Sequence, residues 1–220
     1  MSDWSIVGLG ALGFLFALAF DVTGLRGWRR SKQFVGLLSA GLSAYALVQA
    51  ALARPKLALP AALVWLGWPL LFVALALLVT SLFLEIPLFQ MSVEACVSPT
   101  LVRTGTYALT RHPGVLWFAL LLVALLLVSR SRLLLWAGPI WLSLDVLLVW
   151  IEDRFIFPRQ FPEYVEYRHE TPMLLPTLTS VRRCWRTLRN PIPWADRMKK
   201  EANHDPRDHQ DQRPDPSRSS

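Results

Sequence analysis

Three apolar runs, Trp4–Phe20, Phe34–Leu52 and Ala61–Leu84, are each of the length a helix needs to cross hydrocarbon, and they leave this chain little choice of solvent. About 20 residues of helix span the ~30 Å core of a bilayer. Inside lipid every backbone N–H and C=O must be bonded within its own segment, so such runs fold as helices, and Pro69 in the third is accepted where neighbouring helices pack. Two further runs, Val115–Val128 and Leu133–Ile151, are separated only by Ser129-Arg130-Ser131-Arg132, which leaves room for a tight hairpin turn. The first of this pair is short. The expected fold is all-α: a polytopic membrane protein with about five transmembrane helices and a polar C-terminal segment. Composition agrees, since 53% of the 220 residues are hydrophobic, 18% are charged and ten are Trp, a poor fit to an ordinary soluble domain.

Orientation is read from where Lys and Arg collect. The stretch between Val22 and Phe34 holds Arg26, Arg29, Arg30 and Lys32 with no acid, whereas the next connection holds Arg54 and Lys56 and the hairpin turn Arg130 and Arg132. The first loop is therefore expected on the cytoplasmic side of a cell membrane, Asp3 outside, and both the Glu85–Pro113 connection and everything after Ile151 in the cytoplasm. Residues 1 to 22 lack a basic leader and carry their positive charges afterwards, which favours an N-outside anchor over a cleaved signal peptide.

The chain divides on this reading into N-terminal helices and a connecting loop (1–100), a helical hairpin with its polar flanks (101–176), a basic amphipathic helix (177–198) and a disordered tail (199–220). In the third part Leu178, Val181, Trp185 and Leu188 recur at spacings of three and four, with Arg182, Arg183, Arg186 and Arg189 between them. That pattern fits a helix lying on anionic headgroups, separable from the hairpin, with a solvated surface helix as the plainer alternative. After Met198 there is almost nothing apolar, so ordering cannot be offset by burial. His204 and His209 are given no metal role. Cys96 and Cys184 lie far apart, which makes neither a disulfide framework nor a metal pair.

The chemistry gathers at the two mouths of the hairpin. Gly105-Thr106-Tyr107-Ala108-Leu109-Thr110-Arg111-His112-Pro113 precedes it, and Ile151-Glu152-Asp153-Arg154, then Glu163-Tyr164-Val165-Glu166-Tyr167, follow it. Both mouths must lie at one membrane face. Pro113 suits the first helical position, where its missing N–H costs nothing. The amides of Gly114, Val115 and Leu116 then form an anion site, helped by the helix dipole and by Arg111. Asp145 and Glu152, seven apart, share a face of the returning helix. No phosphate loop, metal-spaced cluster or serine elbow is present, and nothing marks a nucleic-acid partner.

Gly105, Tyr107, Arg111-His112-Pro113, Glu152-Asp153-Arg154, Tyr164, Tyr167, Pro172 and Pro176 together resemble the isoprenylcysteine carboxyl methyltransferase family and the related phospholipid methyltransferases. The resemblance covers residues 101–176 and rests on the ordered set, because no single tripeptide is specific. It implies S-adenosylmethionine as methyl donor, held in a C-terminal cytoplasmic cofactor-binding segment, and a small lipophilic acceptor reached through the bilayer. Arg111 and Glu152 take the catalytic roles, and Tyr107, His112, Pro113, Glu152, Tyr164 and Tyr167 contact the cofactor. The chain departs from the family pattern at Val115 and Trp117, where the family has Tyr and Gly, at Asp153 for a second Glu, at Met173 for an Arg, and at Phe161-Pro162 for a shifted Phe-Gly.

Plainer readings stand beside these. Arg111 can be an interface anchor, His112 a helix cap, and Glu152 a partner of Arg154 or Arg111. Tyr164 and Tyr167 can be packing residues, and Asp145 either a structural partner or part of an acceptor pocket. Two functions are weighed: a membrane methyltransferase acting on a carboxylate, amine or thiol, and a non-catalytic interaction or assembly protein that keeps the fold. Neither the acceptor nor the oligomeric state is specified.

Overall fold

A computed structural model describes residues 2–26, 28–85, 101–161 and 163–189. Cys96, Pro162, the proposed tail 199–220 and the last residues of the proposed amphipathic segment lie outside them. The described residues are helical, with no strand beyond a single antiparallel bridge between Lys56 and Ser131. Eight α-helices follow in order: α1 (Asp3–Leu25), α2 (Arg29–Leu52), α3 (Ala61–Val79), α4 (Pro113–Ser129), α5 (Leu134–Ile151), α6 (Phe157–Gln160), α7 (Tyr164–Glu170) and α8 (Leu178–Arg189). Four helical stretches are long and apolar enough to cross a membrane, namely Asp3–Leu25, Arg30–Leu52, Ala61–Leu82 and Leu134–Gln160. The fifth expected span, α4, has 17 residues. At 1.5 Å per residue it is about 25 Å long, short of the ~30 Å hydrocarbon core.

Two boundaries differ from expectation with consequences for the site. Helix α1 runs past Phe20 to Leu25, so Asp21, just beyond the apolar run, belongs to its last turns. Helix α2 starts at Arg29, which puts Arg30 and Lys32 on its first turns. Apolar surface on both sides of a short connection extends the helices until only Arg26 to Trp28 remain between them.

Close approach of small residues holds the spans together. The core joins Ile6 and Val7 of α1, Ala46 and Ala50 of α2, Leu122 of α4 and Leu134, Ala137 and Trp141 of α5. The Trp141 indole N–H donates to the Val7 carbonyl at 3.1 Å, and a Cβ on Gly10 would collide with the same ring. Gly13 lies against Ser43 in the same way, and its carbonyl accepts from Ser39 Oγ at 2.9 Å. Without a hydrophobic drive between helices in lipid, such interdigitation and interhelical hydrogen bonds supply the association. On the other flank Gly67 of α3 meets Leu127 and Val128 of α4.

The α4–α5 hairpin closes as its four-residue turn predicts. Arg130 adopts φ 55° and its N–H caps α4 on the Leu126 carbonyl at 2.9 Å. Leu57 N–H donates to Arg130 O at 2.6 Å and Arg132 N–H to Pro55 O at 3.2 Å, so the second connection and this turn share one end of the bundle. At the opposite end lie the termini of α1, α3 and α5 and the starts of α2 and α4, which is where the polar motifs assemble.

Candidate functional site

The site grows from two breaks in helical regularity. After Ile151 the helix widens into a π turn, Glu152–Ile156, closed by Phe157 N–H on the Glu152 carbonyl. Such a turn inserts a residue and redirects the side chains that follow. Before α4, a 3-10 turn (Gly105–Ala108) begins at Gly105 with φ 66°, a conformation that favours glycine. Pro113 is the first residue of α4 and fully buried. The two breaks are brought together by the chain beyond α7: Arg111 N–H donates to Pro172 O at 2.9 Å and His112 N–H to Met173 O at 3.3 Å.

Asp153 is the centre. Its Oδ1 accepts from the Tyr164 hydroxyl at 2.5 Å and lies 3.1 Å from Arg111 Nε, and its Oδ2 lies 3.5 Å from Arg168 Nε. His112 Nε2 stands 3.7 Å from Asp153 Oδ1 and His112 Nδ1 3.7 Å from Glu152 Oε2, beyond hydrogen-bond length. Phe157 stacks on the imidazole at 5.6 Å, nearly parallel, and Tyr164 meets Phe157 edge-on at 5.4 Å. Arg111 and His112 are only 8% and 6% exposed, so their charges and dipoles act in a poorly hydrated interior. Burial holds the His112 imidazole below its ordinary pKa, with Asp153 opposing and Arg111 adding to the effect.

The expected residues converge, but not all in the expected roles. Arg111 pairs with Asp153, not with Glu152, and its Nη1 donates to the Arg168 carbonyl at 3.0 Å. The Tyr107 hydroxyl turns to Ser81 O at 3.4 Å, while its own carbonyl accepts from Tyr167 at 2.6 Å. Tyr164 and Tyr167 are both buried and packed edge to face. Burial, seconded by Asp153 for Tyr164 and by Tyr107 for Tyr167, raises the pKa of both phenols, which stay protonated and act as donors. Glu152 faces another acid, Asp21 of α1, with Lys32 nearby and Asp145 two turns away on the same face. Asp21 escaped the sequence reading because the first apolar run was ended one residue before it, at Phe20. Asp153 stood in the sequence beside Glu152 at the hairpin mouth, on a stretch read as leading toward water, but it is buried and central, and Phe157 carried no signal at all.

Around this cluster buried polar atoms go without partners. Thr110 Oγ1, His112 Nε2 and Trp117 Nε1 have no hydrogen-bond partner among the described residues, and Arg111 Nε faces Asp153 out of alignment. All four fall between positions 110 and 117. Beside them Gly114 has open space, with no atom of the described residues beyond its own stretch of helix within 4 Å of where a side chain would begin. Val115, by contrast, is buried, and its N–H is engaged by the His112 carbonyl at 3.3 Å, which removes one of the three amides expected to bind an anion. No group of three or more His, Cys, Asp or Glu able to hold a metal occurs among the described residues. No family model, curated protein or solved structure matches this chain.

Proposed function

We propose that this chain is a membrane-embedded methyltransferase that uses S-adenosylmethionine and a small lipophilic acceptor, working at the cytoplasmic face of a cell membrane with its amino terminus outside. The observation that carries the proposal is the set of buried polar atoms without a hydrogen-bond partner among the described residues, Thr110 Oγ1, His112 Nε2 and Trp117 Nε1, next to the open side of Gly114. Buried donors and acceptors are ordinarily paired, so a run of orphans between two motifs calls for a polar ligand. A donor with a carboxylate, an amino group and a sulfonium fits these residues. The N–H groups of Gly114 and His112 Nε2 suit its acidic end, and Glu152 suits a positively charged or hydroxyl-bearing part.

When bound, S-adenosylmethionine supplies an electrophilic methyl group on a sulfonium. The chain's own contribution is positioning in a dry place. Arg111 and Asp153 pin the turn before α4 to the π turn after α5, fixing the walls against each other. The stacked His112 and Phe157 and the edge of Tyr164 keep bulk water from the interior. Glu152 accepts protons or hydrogen bonds at the inner end of α5, where a lipophilic acceptor arrives from the side. Arg111 on this reading acts as a positioning residue and Glu152 as the catalytic one.

The rival is a non-catalytic membrane assembly protein, favoured by the engagement of every site tyrosine and of Arg111 with protein partners. Calorimetric titration of detergent-purified protein with S-adenosylmethionine and its demethylated product separates the two. Glu152→Gln is expected to weaken binding by about 1.5–3 kcal/mol, the range for a hydrogen bond to a charged group. Arg182→Ala, on the exposed side of α8, is expected to leave binding unchanged. Absence of affinity in the wild type, or equal affinity in Glu152→Gln, overturns the proposal and favours the rival.

A further inference from the structure

Helix α8 has two faces with different partners. Ser180 and Cys184 are buried, and Thr187 Oγ1 accepts from the Gly105 N–H at 3.1 Å, so this face docks on the 3-10 turn that leads into Arg111 and His112. Arg183 reaches Glu170 at 3.1 Å and closes the contact. Small residues at positions 180, 184 and 187 let the helix lie close against the Gly105 turn, so the segment expected to be separable touches the hairpin's leading turn through this face and not through its basic one.

The opposite face has no protein partner among the described residues. Leu178 and Trp185 are 79% and 62% exposed, with Val181 and Leu188 beside them, and Arg182, Arg186 and Arg189 flank this stripe. No acid occurs between Leu178 and Arg189. Arg189 lies over the Trp185 ring at 5.4 Å, which carries a cation along the apolar stripe. The 3-10 turn beneath α8 is tied through Tyr107 to Ser81, in the π turn (Thr80–Glu85) that continues α3, so the helix sits at the level where the spanning helices stop.

We propose that this outward face binds anionic lipid headgroups and thereby clamps the Gly105–Pro113 turn from the membrane side. Three arginines beside an exposed Trp and three aliphatic residues complement a surface that is negative above and apolar below. The partner is the bilayer's acidic lipid, and the inference stands independently of the methyltransferase reading.

The test is amide hydrogen exchange of the full chain in nanodiscs of phosphatidylcholine alone and of phosphatidylcholine with phosphatidylserine. Each interfacial arginine is worth about fivefold in binding, so exchange across 178–189 is expected to slow by roughly tenfold or more in the acidic discs. Exchange at Gly105–Ala108 should slow with it. The triple variant Arg182→Gln, Arg186→Gln, Arg189→Gln should lose the difference while exchanging normally in α1 to α5. Equal exchange in the two lipids overturns the proposal. So does protection that survives in the triple variant, or that grows with protein concentration and so reports a second copy as the occupant.

Discussion

The spanning bundle and the polar cluster at its inner end are built by opposite means. In the bundle, α1, α2 and α5 meet through Gly10, Gly13, Ala46, Ala50 and Ala137, and a single indole hydrogen bond ties Trp141 to α1. Each contact is weak and interchangeable, because lipid offers apolar surface as good as a neighbouring helix. In the cluster a few charged and aromatic groups hold three separate segments, the turn before α4, the π turn after α5 and α7, through one carboxylate, Asp153. Removal of a neighbour in the bundle leaves a gap that lipid or side chains can fill. Removal of a partner in the cluster leaves a buried charge.

The largest expected effect therefore lies in the cluster. Asp153→Asn should destabilise the protein by about 3–5 kcal/mol, because Arg111 would stay buried without its counter-charge. Equilibrium unfolding in mixed micelles measures it. A loss no greater than that of Arg168→Gln, whose side chain is 39% exposed, would mean that Asp153 is not the hub.

Next comes the bundle at its tightest point. Gly10→Ala forces a methyl into the Trp141 ring and should cost about 1–3 kcal/mol, the usual range for overpacking. Gly8→Ala, where no atom of another described segment lies within 4 Å, serves as the control and should be near neutral or mildly stabilising. If Gly10→Ala exceeds Asp153→Asn, the contrast between the two regions is inverted.

The smallest effect expected is a pH dependence. His112 has a folded pKa below 6.5, so in acid the unfolded chain binds a proton that the folded chain holds more weakly. Above the unfolded value the group contributes no slope. Stability should fall as pH drops from about 7 towards 5, and His112→Gln should flatten that part of the curve. A steeper acid loss in the variant would place the titration elsewhere.

The two regions also differ in how much of them could be read from the chain. Apolar runs and a four-residue turn sufficed for the helical class, the α4–α5 hairpin and the meeting of Arg111-His112-Pro113 with Glu152-Asp153 at one end, since hairpin arms must return to the face they left. The docked side of α8 was not legible, because Ser180, Cys184 and Thr187 are small polar residues that read as surface until Gly105 is placed beneath them.

Local chemistry determined the helices: hydrophobic length, proline at the start of α4 and glycine at its flanking turn act within a few residues of themselves. Only the tertiary structure decided which charges meet. Arg111 and Asp153 are joined because a π turn redirects the chain after Ile151, and Asp21 reaches Glu152 because α1 runs on to Leu25 beside α5. Helix rotation and length set those pairings, and both depend on packing summed over whole helices, which no short motif contains.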